Sequence, residues 1–221
     1  MLDKAKTNPE LGLKISNHLK EKGVETPMTG RFESNKINLN KIEKNFRNIM
    51  SVLGMDLEDD SLTETPKRVA KMFLNEIFWG LDTDNFPKMT TINNKMKYDE
   101  MIISKGVKVS STCEHHFLPI IGEAYIAYIP NEKVLGLSKL NRVVEYFSKR
   151  PQVQERLTEQ VFFALSYILE TEDIAVLIDA KHTCVSTRGV EDYNSTTITS
   201  KLGGLFIENS KVRSEFLKLI K

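Results

Sequence analysis

Cys113-Glu114-His115-His116 and His182-Thr183-Cys184 contain three of the four histidines and both cysteines of the chain. Soft and borderline metal ligands are thus scarce, and they are concentrated in two short segments. Cys113 and His116 have C-x-x-H spacing, which suits two corners of one tetrahedral ion. Cys184 would bring a third ligand from far along the chain. Three protein ligands leave one position for water, the arrangement of a catalytic zinc rather than a structural one. His115 and His182 then sit beside ligands without being needed as ligands. Imidazoles that titrate near neutral pH suit proton transfer. The plainer alternatives are satisfied structural histidines, inert buried thiols or a disulfide. A disulfide conflicts with a cytoplasmic protein, and the first residues show no secretion signal.

A second group of residues could bind an anion. Gly136-Leu137-Ser138-Lys139-Leu140-Asn141-Arg142 places a hydroxyl, an ammonium and a guanidinium at an expected helix start. Free N–H groups and the helix dipole favour anions there. Arg188 follows Cys184 closely, and Arg68 and Lys71 lie on an upstream helix. Each cation by itself reads as a solvated charge; serving one polyphosphate requires them to converge. Gln154-Glu155 opens a long helix, and a carboxylate beside an amide can meet the edge of a guanine. The competing reading is two solvated residues in a first turn, where Glu suits the dipole.

The elements that must position these residues follow from periodicity. The chain has 221 residues and 40% hydrophobic content, enough for one ordinary domain with a packed core. A net charge of +1 gives no basic field for a nucleic acid, and no apolar run reaches membrane-spanning length. Residues 1–36 are polar, with Lys4 to Lys22 as a possible short helix, and read as a mobile extension or one ordered by a neighbour. Ile42, Phe46, Ile49, Met50 and Leu53 mark a helix stopped by Gly54. Thr65-Pro66 starts another, with Val69, Met72, Phe73 and Ile77 as its buried stripe.

The period then changes. Strands are expected at 101–103, 107–111 and 120–129. Ser138 should cap a helix that buries Leu140, Val143, Val144 and Phe147. After Pro151 comes a longer helix over 152–169, then a strand at 173–180, an extended segment at 182–187, a strand at 196–202 and a closing helix at 210–220. Strands, two consecutive helices and strands again give an α+β order. Both candidate metal segments fall at strand ends, where a rigid scaffold presents chemistry.

SSTCEHHFLPIIG, GLSKLNRVVEYFSKRPQVQERLTEQV and HTCVSTRG resemble the GTP cyclohydrolase I family in order and spacing, as does DDSLTETPKRVAKMFLNEIFWGL upstream. The resemblance runs from about Ile37 to the C-terminus, with residues 1–36 outside it, a helical part at 37–95 and a catalytic part at 96–221. It implies a tunnelling fold, an antiparallel sheet with helices on one side, in two pentameric rings with sites at subunit boundaries. Zinc would be held by Cys113, His116 and Cys184, and His115 and His182 would be the acid–base pair. Glu155, helped by Gln154, would anchor the guanine of GTP. Ser138, Lys139, Arg142 and Arg188 would hold ribose and triphosphate, with Arg68 and Lys71 reaching in from another subunit. The implied product is 7,8-dihydroneopterin triphosphate, an entry to pterin and folate-type biosynthesis, with formate released. Glu191 and Asp192 would repel phosphate beside Arg188 unless turned away or paired, and Lys201 has no role in this reading.

Overall fold

A computed structural model describes residues 3–221. Three helices come first: α1 (Pro9–Glu21), α2 (Lys36–Val52) and α3 (Thr65–Met72). Then follow β1 (Thr91–Asn93), β2 (Ile102–Cys113), β3 (Pro119–Tyr128), β4 (Lys133–Leu135), α4 (Leu137–Ser148), β5 (Pro151–Gln152) and α5 (Gln154–Leu169). The chain ends with β6 (Ile174–His182), α6 (Thr183–Ser186), β7 (Thr197–Leu202), α7 (Leu205–Glu208) and α8 (Ser210–Leu219). The main sheet is ordered β5-β2-β3-β6-β7. Its four long strands are antiparallel, and the two-residue β5 runs parallel to β2. β1 and β4 form a separate ribbon. The α+β order read from the sequence is the order found.

Alternation along the strands sorts the core. Ile174, Val176, Ile178 and Ala180 of β6 join the main core with Leu140, Val143, Val144 and Phe147 of α4 and Leu157, Val161 and Leu165 of α5. The intervening Ala175 and Leu177 face the other side. There they meet Phe206 of α7 and Phe216 of α8, with Ala127 of β3 leaving room for the rings. Helices therefore do not lie on one side alone. The long pair covers one face, and the short C-terminal pair covers part of the second.

Several local expectations change. The N-cap of α4 is Gly136, and Ser138 lies inside the first turn without capping it. The cap of α3 is Glu64, one residue before Thr65. Its buried line is Pro66, Ala70, Leu74 and Phe78, running on through a π-helical turn, while Val69, Met72, Phe73 and Ile77 flank it half-buried. On α2 only Met50 is buried, and Ile37, Ile49, Val52 and Leu53 stay exposed. Residues 182–187 are not extended: β6 ends at His182 and the chain turns helically through α6.

The largest revision is at the N-terminus. Pro at the first turn and the Asn8 side chain accepting from Leu11 N start α1. Ile15 and Leu19 of α1 are buried in the main core, beside α5. Gln160 of α5 donates to Val24 O at 2.7 Å, and Arg150 donates to the Thr26 hydroxyl at 3.1 Å. The polar character of α1 reflects its exposed face, and its other face packs on the chain's own core. Leu19→Ala should therefore lower stability by about 2–5 kcal/mol, the usual cost of emptying a buried Leu site. Denaturant unfolding measures it, and an unchanged midpoint would restore the mobile-extension reading.

Candidate metal centre and nucleotide site

The end of β2, the start of β3 and the end of β6 meet at one edge of the core. Cys113 closes β2. The Leu118 carbonyl accepts from Cys113 N at 2.8 Å, and the Cys113 carbonyl accepts from Phe117 N at 2.9 Å. This tight reversal requires a left-handed residue, which is Phe117 at φ 53°. Its ring is edge-on to Phe73 at 6.1 Å and to Phe78 at 5.4 Å, so the turn after α3 packs against the loop. From the other side, Glu114 N donates to Gln152 O at 3.0 Å. The Glu114 carboxylate takes two hydrogen bonds from Arg156, at 2.6 and 3.3 Å. A bidentate pair of this kind fixes orientation as well as position.

β6 supplies the rest. His182 stands opposite Ile120 in the β3–β6 register. The Thr183 hydroxyl donates to Pro119 O at 2.8 Å, and α6 swings Cys184 back toward Cys113. One ligand atom each of Cys113, His116 and Cys184 lies within 4.8 Å of the other two. Both cysteines are free thiols, so the disulfide alternative is excluded. Burial pushes the Cys184 thiol up, and the neighbouring Cys113 pushes it further the same way. Two adjacent sulfurs, with the Cys184 thiol resisting ionisation, form a donor set a divalent cation stabilises. The residues fit zinc in type and spacing, with His116 as the nitrogen ligand.

The nearby groups fall into two sets. Arg188 donates to Nε2 of His116 at 2.8 Å, so it sits by the metal ligands. Nδ1 of His115 is 3.9 Å from the Cys113 sulfur, and the ring is exposed. His182 is held below its ordinary pKa by burial, with the Glu155 charge opposing. Glu155 is exposed in the first turn of α5. Gln154 is buried, with its amide bonded inside the chain.

Ser138, Lys139 and Arg142 form the other set. β3 runs away from the metal edge, α4 starts beyond its far end, and only the C-terminus of α4 returns to β5 beside Cys113. The 12 residues of α4 span about 18 Å. Lys71 and Arg142 line one cavity of about 730 Å³, together with Lys6 and Lys149. The chain thus brings Lys71 to Arg142, and it does not bring Ser138 or Lys139 to its own metal ligands. Arg68 is exposed on α3.

Two residues left over from the sequence find structural roles. The Asp192 carboxylate accepts from Asn194 N at 3.0 Å and Ser195 N at 3.2 Å, so it is turned into its own loop. Lys201 pairs with Glu159 at 3.1 Å and lies over the Phe162 and Phe163 rings. Sequence reading missed Arg156, Thr197 and Thr199, whose positions depend on pairing across the fold.

Cys113, His116 and Cys184 could together hold a metal ion on the edge of an α+β sheet, with His115 and His182 adjacent in sequence, a donor set of the kind found in hydrolases. The family pattern described as GTP cyclohydrolase I matches residues 42–221. GTP cyclohydrolase 1 of Histophilus somni (strain 2336) is 51% identical over 214 residues, 97% of this chain and 98% of that protein. That of Mannheimia succiniciproducens is 54% identical over 207 residues, covering 94% and 95%. That of Shewanella sp. (strain ANA-3) is 51% identical over 212 residues, covering 96% and 98%. The chain belongs to the GTP cyclohydrolase I family.

The metal assignment is open to direct test. Purified protein should carry one zinc per chain. Cys113→Ser, His116→Ala and Cys184→Ser should each lose it, and His115→Ala and His182→Ala should retain it. Elemental analysis after dialysis against a weak chelator reads the outcome. Metal loss from either of the last two variants would make that histidine a ligand.

Proposed function

We propose that this protein hydrolyses GTP at carbon 8 of the guanine, releasing formate and giving 7,8-dihydroneopterin triphosphate. The observation that carries the reading is the meeting of Cys113, His116 and Cys184 within 4.8 Å, with His115 and His182 beside them. Zinc bound there would supply Lewis acidity that brings the pKa of a water down to about 7. Opening the imidazole ring adds one water across carbon 8 and breaks a ring C–N bond. A second water then releases formate, and isomerisation of the ribose followed by closure of the pterin ring, which gives back one water, completes the product. Each break leaves a nitrogen that must receive a proton. His182, half-buried with Glu155 nearby, and His115, exposed on the facing loop, are the groups to carry it. The exposed Glu155 carboxylate is available to accept from the guanine N–H groups. Free thiols suit a reducing compartment, which supports a cytoplasmic location. No helix among the described residues is long and apolar enough to cross a membrane.

The triphosphate reading requires a second chain. Lys71 and Arg142 line one cavity, with Asp3, Glu76 and Glu145 also on its wall, and Ser138 and Lys139 sit at the start of α4, away from the candidate metal residues of the same subunit. We read the complete site as the metal centre of one subunit, with Arg188, facing the cations of another. This differs from Arg68 and Lys71 alone crossing over, because Lys71 shares its cavity with Arg142. Assembly has material to use. α2 exposes Ile37, Ile49, Val52 and Leu53, and β7 is an open sheet edge. A closed ring, a decamer of two pentamers by resemblance, removes such edges.

Zinc-loaded protein given GTP should produce formate and a fluorescent oxidised neopterin, and metal-free protein should not. Full activity without metal would sink the reading. Glu155→Gln should weaken GTP binding by roughly ten- to hundredfold, the cost of a charged hydrogen bond, with triphosphate contacts intact. An unchanged preference for GTP over ATP would return Glu155 to a solvated role. Lys71→Ala and His115→Ala should each be inactive alone and should partly recover activity when their subunits are exchanged. If exchange is confirmed and nothing returns, the two groups serve one chain.

A further inference from the structure

Gln154 begins α5 and is 1% exposed. Its side-chain nitrogen lies 3.0 Å from Ile178 O, 2.7 Å from Thr197 O and 3.2 Å from the Thr199 hydroxyl. Ile178 and Thr197 offer backbone carbonyls, which only accept. The NH2 end of the amide must therefore face them, since the reversed amide would set three oxygens against one another. The oxygen end then faces Nε2 of His182 at 2.7 Å. An amide oxygen has no hydrogen to give, so Nε2 of His182 carries one whether the ring is charged or neutral. In the neutral ring the lone pair is on Nδ1.

We infer that Gln154 is a positioning residue that holds a hydrogen on Nε2 of His182 and leaves Nδ1 as the nitrogen that exchanges protons with the substrate. The surroundings make the arrangement rigid. The Thr158 hydroxyl donates to Gln154 O at 2.9 Å and touches the Thr199 hydroxyl at 2.7 Å, tying α5 to β7. Gln154 itself ties α5 to β6 and β7. The amide cannot rotate without breaking bonds to both strands. Among the described residues His115 has no comparable brace: its ring meets the Cys113 sulfur at 3.9 Å and is exposed. The two proton carriers are thus held differently: one against a buried amide and one on an exposed loop. The inference reassigns Gln154 from the guanine edge, where the resemblance put it, to a place behind His182. Its catalytic meaning rests on the function proposed above, and the bonding it describes does not.

The experiment uses full-length, zinc-loaded protein labelled with 15N in its histidines. His182 is assigned by comparison with His182→Asn, and spectra are taken where the ring is neutral. Nε2 should give a pyrrole-type signal with a bonded hydrogen, and Nδ1 a pyridine-type signal. The opposite pattern overturns the inference, whatever the enzyme turns over. Gln154→Met should then mix the two tautomers and lower kcat about 10- to 100-fold, the usual effect of losing such an orienting partner. KM for GTP, the preference over ATP and the zinc content should not change. A raised KM with kcat preserved would mean that Gln154 touches the purine and the inference is wrong. If Gln154→Met fails to fold, Thr199→Val keeps the amide and removes one of its anchors. It should show a smaller fall in kcat alone, and a change confined to KM counts against the inference. If wild-type protein has no activity on GTP, the proposed function fails while the nitrogen signals still decide the tautomer.

Discussion

Holding the Cys113 sulfur beside Cys184 makes the Cys184 thiol hard to ionise, and the structure is arranged so that the two are nevertheless neighbours. Burial and the approach of Cys113 both push the Cys184 thiol up. What forces the approach is β3, which pairs with β2 on one side and β6 on the other. The pairing of β3 with β6 is unusually close at Gly122, where a Cβ would lie 2.1 Å from Asp179 O. Only glycine permits that contact, and the register it sets puts His182 opposite Ile120 and delivers Cys184 through α6 to the loop that begins at Cys113. A cation in the site would offset the cost of the close thiols, which links metal binding to the integrity of the sheet.

The residues behind the ligands are as organised as the ligands. Arg156 holds Glu114, Gln154 holds His182, and the Phe73, Phe78 and Phe117 rings hold the turn. All three supports arise where α5 or the segment after α3 packs against the metal edge. The N-terminus of α5 is therefore the hub of the site, with Gln154, Glu155 and Arg156 pointing three ways from consecutive positions. Gln154 goes into the strands, Glu155 to solvent beside His182, and Arg156 to the loop. A helix places consecutive side chains about 100° apart, so one turn can serve three partners.

The cationic group at α4 illustrates a different principle. α4 buries Leu140, Val143, Val144 and Phe147 against the sheet, which fixes its direction, and direction decides which end meets Cys113. The C-terminal end does. Ser138 and Lys139 are consequently carried away from the metal ligands of their own chain, while Arg142 turns into a cavity shared with Lys71. The distance of Ser138 and Lys139 from the candidate metal residues, the exposed apolar residues on α2 and the open edge at β7 are the physical grounds for the proposal that the site is completed across an interface.

Residue chemistry alone picked out the Cys113, His116 and Cys184 set that the fold brings together, the α+β order of the long elements and the main buried stripe of α4, because scarce ligands and apolar periods are properties of the chain read in line. It also marked His182, Glu155 and Lys71 as chemically capable. It misjudged the α1 segment, because a helix with one buried face looks polar on average until α5 is there to receive Ile15 and Leu19. It did not foresee α7 and put α8 on no face, since which side Phe206 and Phe216 reach depends on the small Ala127 and Ala175. It treated Gln154 and Glu155 as a pair, though one residue's difference in helical angle buries the first and exposes the second. Cross-strand partners such as Thr197 and Thr199 are fixed by register, a relation between distant segments. Tertiary structure alone decided these, because burial and hydrogen-bond partnership depend on which surfaces meet.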